Sequence, residues 1–131
     1  MNTHKLSIVG VGHVGSAVLE KAVALGLFST ISLVDIKENV AFGEALDISH
    51  SMSSSLNPNT IVYSGGFECV KDADVILFAG GISALFEGEE MPVTIPGFKG
   101  GDRETIELPE VQTRMIKELK KTGKPLVFIN F

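Results

Sequence analysis

Along this chain the spacing of hydrophobic and polar positions changes period repeatedly, and each change marks an element. Lys5 to Val9 (KLSIV) is a short, nearly continuous apolar run, the signature of a strand buried on both faces. From Ser16 to Leu25 the apolar positions Ala17, Val18, Ala22 and Leu25 follow helical spacing, with Glu20 and Lys21 outward and Gly26 placed to end the helix. Thr30 to Val34 is a second strand. A second helix runs from Glu38 to His50 and dissolves into a polar, turn-forming loop through Asn57-Pro58-Asn59. Thr60 to Ser64 is a third strand, β-branched and aromatic. A helical turn from Phe67 to Lys71 leads to a fourth strand, Val75 to Ala79, closed by Gly80 and Gly81. The stretch from 81 to 104 is irregular, rich in Gly and Pro and acidic at Glu87, Glu89 and Glu90; a loop of that length in a compact domain is functional or mobile. A third helix spans about Pro109 to Thr122, with Val111, Met115, Ile116 and Leu119 as its apolar stripe, and Leu126 to Ile129 is the fifth strand.

Strands alternating with helices predict an α/β fold: a doubly wound parallel sheet of the Rossmann type, made by residues 1–131 as one domain. Right-handed crossovers give the strand order 3-2-1-4-5, with ligands bound beyond the carboxyl ends of strands 1 and 4. The glycines at 10–15 and at 80–81 stand at those two ends.

Composition narrows the partners. The chain carries a net charge of −5, which argues against nucleic acid or an anionic membrane, since both favour a basic surface. Any bound anion must then be held by local backbone geometry. No apolar run is long enough to span a bilayer, and the N-terminus lacks a secretory pattern. A single cysteine, Cys69, excludes an internal disulfide framework, fits a reducing cytoplasm and reads as a small buried apolar residue. No metal-ligand set stands out.

The candidate chemistry lies between Lys5 and Asp35. A strand enters Gly10-Val11-Gly12-His13-Val14-Gly15, the turn opens a helix, and the next strand ends on an acid. Gly10 permits the tight turn, Gly12 lets a pyrophosphate approach the backbone, and Gly15 lets helix and strand pack closely. The helix N-terminus offers unpaired N–H groups and partial positive charge to the phosphates. Asp35 falls 20 residues after Gly15, the spacing of the acid that accepts hydrogen bonds from an adenosine ribose. A carboxylate there repels a 2′-phosphate, and Lys37 is the nearest cation, so the cofactor read from these residues is NAD and not its phosphorylated form. Cofactor contacts are expected at Gly10, Gly12, His13, Val14, Gly15, Asp35 and Ile36. The plainer alternative is a glycine turn that only permits tight packing.

Together, KLSIVGVGHVGSAV, LVDI, the GEALDISHS helix, DADVILFAGG, the triplet Gly101-Asp102-Arg103 and Phe128-Ile129-Asn130 resemble the L-lactate/malate dehydrogenase family of NAD-dependent L-2-hydroxyacid dehydrogenases. The segment at Gly101-Asp102-Arg103 is most similar to the L-2-hydroxyisocaproate subgroup. The resemblance covers essentially the whole chain as that family's N-terminal cofactor domain, with 81–104 as its mobile substrate loop. It implies that Arg103 polarises the substrate carbonyl and that Asn130 contacts substrate and nicotinamide. It also implies that Ala79, Gly80 and Gly81 pass the cofactor ribose and pyrophosphate. Each has a plainer reading: a solvated arginine, a strand-end residue, an ordinary turn. The implied substrate is a small 2-hydroxy or 2-oxo acid of lactate, malate or hydroxyisocaproate type, and Phe98 beside Lys99 leans toward a monocarboxylate.

Departures accompany the resemblance. The family's proton-transfer histidine, its partner aspartate and its carboxylate-binding arginine belong to a second domain, and His4, His13 and His50 do not stand in that histidine's position. Ile82 and Phe131 occur where the family commonly has proline, and the loop to Arg103 is longer than usual. The expectation is therefore an NAD-binding half, truncated before the catalytic domain, that binds NAD and turns over poorly alone. An exposed flank on the fifth strand predicts self-association into a homo-oligomer. The alternative from another class is a stand-alone Rossmann nucleotide-sensing regulatory module, which requires neither the GEALDISHS helix nor the Arg103 loop.

Overall fold

A computed structural model describes residues 3–52, 59–82, 96–99 and 102–131. Its elements in chain order are β1 (Lys5–Val9), α1 (His13–Leu25), β2 (Thr30–Val34), α2 (Glu38–Met52), β3 (Ile61–Ser64), a 3-10 turn (Phe67–Asp72) and β4 (Val75–Gly80). There follow β5 (Phe98–Lys99), β6 (Asp102–Arg103), α3 (Glu110–Lys120) and β7 (Leu126–Asn130). The main sheet has five strands in the order β3-β2-β1-β4-β7, every pair parallel, which is the expected 3-2-1-4-5 winding.

Burial explains why the central strands read as continuous apolar runs. Leu6, Ile8, Ile31 and Leu33 pack on one face under α1 and α2, through Leu19, Ala22, Val23, Ala41 and Ala45. Val9, Val34, Ile76 and Phe78 point to the other face, where Val70 of the 3-10 turn, Ala73 just after it and Leu119 of α3 cover them. The polar interruptions in β1 and β2 are paired: Ser7 and Ser32 are register partners, both buried, and the Ser32 hydroxyl donates to the Ser7 hydroxyl at 3.0 Å. That bond removes the penalty for burying two hydroxyls. Helix α1 ends at Gly26, whose φ of 62° is the left-handed cap expected of it.

Two expectations change. The segment 81–104 is not wholly irregular: Phe98 pairs with Arg103 and Lys99 with Asp102 in a small antiparallel ladder. The rest of that loop, 83–95 and 100–101, lies outside the described residues. Cys69 is half-buried and packs against the edge of the core, not within it. It sits on the 3-10 turn beside Tyr63 of the outer strand β3.

Candidate functional site

The register of the sheet assembles the site. Val9 pairs with Val34 on one side and Phe78 on the other, so the residues that follow them, Gly10, Asp35 and Ala79, stand level at the carboxyl edge. Here β1 turns away between its two neighbours, the switch point at which doubly wound sheets bind ligands. Gly10 has φ of 86°, and a Cβ there would stand 2.6 Å from the Ala79 carbonyl oxygen. A Cβ on Gly15 would stand 2.0 Å from the Gly10 carbonyl oxygen, so the helix rests directly on the turn. Gly12 differs: nothing lies within 4 Å of its Cβ position, and the residue is exposed. Two glycines of the motif are needed by the protein itself, and the third leaves space for a ligand.

Helix α1 starts with the Ser16 N–H donating to the Gly12 carbonyl at 2.8 Å. The amides of His13, Val14 and Gly15 precede that bond and belong to the unsatisfied first turn that holds anions. His13 is exposed and Val14 half-buried.

Asp35 does more than its spacing suggests. One carboxylate oxygen accepts from the Val11 amide at 2.7 Å and the other from the Lys37 amide at 2.8 Å. The carboxylate thus ties the glycine turn to the end of β2. Each oxygen keeps a further lone pair for a ribose hydroxyl. Ile36 beside it is 85% exposed at the mouth of the site.

A cleft of about 320 Å³ connects Gly10, Asp35 and Ile36 with Ala79, Gly80 and Gly81. Its far wall comes largely from the third helix. Val111 and Met115, expected in that helix's apolar stripe, line the cleft together with Gln112, Phe67 and Phe131, and Met115 also packs against the core. Val111 is more than half exposed. Helical spacing showed that these positions share a face; it could not show that the face overhangs a cleft. Asn130 ends β7 opposite Gly80 and is exposed, next to the cleft residue Phe131.

Arg103 is not brought to this cleft. It lies in a neighbouring groove with Phe98, Thr105 and Leu108, and its guanidinium donates to the Glu107 carbonyl. Ile82 and Thr113 border that groove as well, so the two hollows are separated by the end of β4 and the start of α3.

The family model for the NAD binding domain of lactate/malate dehydrogenases matches residues 4–90, which include the glycine turn, Asp35 and the end of β4. The chain belongs to that family. An L-lactate dehydrogenase 2 of Clostridium acetobutylicum is 45% identical over 80 residues, 61% of this chain and 25% of that protein. The minor L-lactate dehydrogenase of Enterococcus mundtii, solved with ligands bound, superposes with a TM-score of 0.72 at 25% identity, over 99% of this chain and 38% of its own. The chain therefore spans between a quarter and two fifths of the length of these dehydrogenases. A xylan 1,4-beta-xylosidase of Xylanibacter ruminicola is also similar, 52% identical over 61 residues, 47% of this chain and 7% of that protein.

Within the stretch that matches this NAD binding domain stand the unobstructed Gly12, the start of α1 at His13 and the Asp35 carboxylate after β2. Among the described residues no helix is long and apolar enough to cross a membrane.

Proposed function

We propose that this domain holds NAD for a dehydrogenase that acts on a small L-2-hydroxy acid. The observation that carries this reading is the junction at Asp35, where one carboxylate fixes the glycine turn and still presents lone pairs to a ribose. The pyrophosphate is assigned to the amides around Gly12, His13, Val14 and Gly15, with Gly10 shaping the turn. Ile36 is assigned to the adenosine end, and Ala79, Gly80, Gly81 and Asn130 to the nicotinamide end. Bound there, NAD would supply a hydride acceptor for the 2-carbon of the acid. Arg103 is assigned to the substrate, where a guanidinium would stabilise charge developing on the oxygen. That role rests on the resemblance and requires the guanidinium to leave the Glu107 carbonyl. A monocarboxylate substrate, a homo-oligomeric state and a cytoplasmic location complete the proposal, with neither nucleic acid nor membrane as partner.

Titration calorimetry of the 131-residue chain tests it. NAD should bind and NADP should bind at least about tenfold more weakly, because Asp35 repels the added phosphate. Equal affinity for the two removes the Asp35 assignment. The chain alone should show little oxidation of lactate, malate or 2-hydroxyisocaproate, and ready turnover would contradict its role as a binding half.

A second reading is favoured by one observation, the 52% identity to a xylan 1,4-beta-xylosidase over 47% of the chain. The dehydrogenase relative aligns over 61% of the chain, which leaves two fifths outside that match. Under this reading part of the chain derives from an α/β unit of a glycoside-cleaving protein, and the ligand is a xylose-containing saccharide. Binding of xylobiose without binding of NAD would favour it.

A further inference from the structure

The end of β4 presents a bonding problem that the sheet does not solve. Gly80 and Ile82 are joined to the last residue of the chain: the Phe131 amide donates to the Gly80 carbonyl at 3.1 Å, and the Ile82 amide donates to the Phe131 carbonyl at 3.0 Å. By the alternation of a strand, the N–H and C=O of Gly81 face the opposite way, toward the side where β1 has already turned off at Gly10. Among the described residues no strand stands there to receive them. Gln112, near the start of α3, takes that place: its side-chain oxygen accepts from the Gly81 amide at 2.9 Å, and its side-chain nitrogen donates to the Gly81 carbonyl at 2.6 Å. A single carboxamide thus satisfies both groups of one peptide residue, as a neighbouring strand would. A glutamate could accept but not donate, and a leucine could do neither.

The surroundings hold the two glycines closely. Gly81 has φ of 147°, and a Cβ on it would stand 1.9 Å from the Phe131 carbonyl oxygen. On Gly80 a Cβ would stand 2.8 Å from the Gln112 side-chain oxygen. The two glycines are therefore pressed between the β7 end and the Gln112 amide, and their position is set by contacts on both sides. Both also line the cleft.

We infer that Gln112 is a positioning residue for the cofactor site: it holds the Gly80-Gly81 wall where the nicotinamide half of the dinucleotide passes. The inference rests on the NAD reading above. Asp35 at the end of β2 marks the adenosine end and the glycine turn marks the pyrophosphate. The β4 end, on the far side of β1, faces the remaining half. AMP fills only the Asp35 side, so the two ligands separate a local effect at Gly81 from general loss of structure.

The experiment measures NAD and AMP affinity by titration calorimetry, with the thermal midpoint, for the wild-type chain, Gln112→Leu and Gln112→Glu. Gln112→Glu, which loses the bond to the Gly81 carbonyl, should bind NAD about tenfold more weakly, and Gln112→Leu, which loses both bonds, at least as weakly, with AMP within twofold of wild type for each. A Gln112→Leu chain with an unchanged NAD-to-AMP affinity ratio overturns the inference, whatever its thermal midpoint. So does tighter NAD binding, which would mean that the amide competes with the cofactor for Gly81. If Gln112→Leu does not fold, Gln112→Glu, which keeps the acceptor to the Gly81 amide, decides by the same ratio. A wild-type chain that binds neither ligand overturns the NAD reading itself and this inference with it.

Discussion

The two walls of the cleft are built on different principles. On the β1–β2 side, backbone meets backbone: Gly15 lies on the Gly10 carbonyl, Gly10 lies against Ala79, and one acid ties the turn to the next strand. The strands beneath are buried after their first residues, with Ile8, Ile31 and Leu33 fully enclosed. On the β4–β7 side the wall depends on side chains reaching across. Gln112 holds Gly81, the rings of Phe78 and Phe128 tilt together at 5.3 Å, and α3 buries only Leu119. Every residue of β7 is at least partly exposed. The first wall has no slack at Gly10 or Gly15, where the atoms met first are backbone. The second has one such backbone contact, between Gly81 and Phe131, and otherwise rests on partly exposed side chains that can shift.

The largest effect should come from closing the slack-free wall further. Gly15→Ala puts a methyl group 2.0 Å from a backbone oxygen that the sheet holds in place. Overpacking against backbone should cost about 3 kcal/mol, beyond the gain from removing a helical glycine. A urea titration that finds Gly15→Ala as stable as wild type would show that helix and turn can separate, and the contrast between the walls would fail.

Asp35→Asn should rank next. The asparagine keeps one acceptor oxygen for two amides, so either the Val11 or the Lys37 bond is lost, and the ribose loses a charged partner. NAD affinity should fall by about 1–3 kcal/mol, with NADP gaining relative to NAD. A loss in NAD affinity with no change in the NAD-to-NADP ratio would place the role of Asp35 in holding the turn and not in contacting the ribose.

How far the sequence could be read follows the same division. Gly10, Gly15 and Asp35 were legible because their partners are neighbours in a motif whose spacing is set by one turn and one helix. The strand order was legible because right-handed crossovers leave few choices. Gln112 was not, since it meets Gly81 from 31 residues away and nothing local distinguishes it from a solvated helix glutamine. Val111 and Met115 were read as an apolar stripe, which has the same spacing whether it covers a sheet or overhangs a hollow; Met115 does both, and Val111 lines the hollow. The Phe98–Arg103 pairing was hidden in a stretch whose glycines and prolines read as loop. Arg103 was placed by resemblance, and the hairpin puts it in the adjoining groove.

Arg103→Ala therefore sharpens the comparison from the other direction. The guanidinium bonds the Glu107 carbonyl and lines a separate hollow, so its removal should leave NAD affinity within about twofold, below the roughly 1.4 kcal/mol that a tenfold change represents. A tenfold loss in calorimetry would mean that the two grooves communicate and that the hairpin, not Gln112 alone, sets the β4 wall.

The smallest effect belongs to the outer edge of the first wall, where the packing thins. Burial pushes the Cys69 thiol above its ordinary range, with the Glu68 carboxylate adding to the shift, and burial followed by the charge of Cys69 does the same to the Tyr63 phenol. A raised acid pKa means that the folded chain prefers the neutral thiol and phenol. The unfolded chain ionises first as pH rises, from about 9 for a free thiol, and draws the equilibrium toward itself. The stabilising preference is complete below that pH and is lost through the alkaline range up to the folded values. Both groups are only partly covered, so solvent screens much of the effect and the alkaline limb should be shallow. Cys69→Ala should flatten it further, leaving the Tyr63 contribution, while the acid side of the profile stays as in wild type. Thermal midpoints at pH 7 and pH 10 measure the difference. A limb as steep in Cys69→Ala as in wild type would assign the alkaline loss to Tyr63, and would remove Cys69 from the account of how this edge is held.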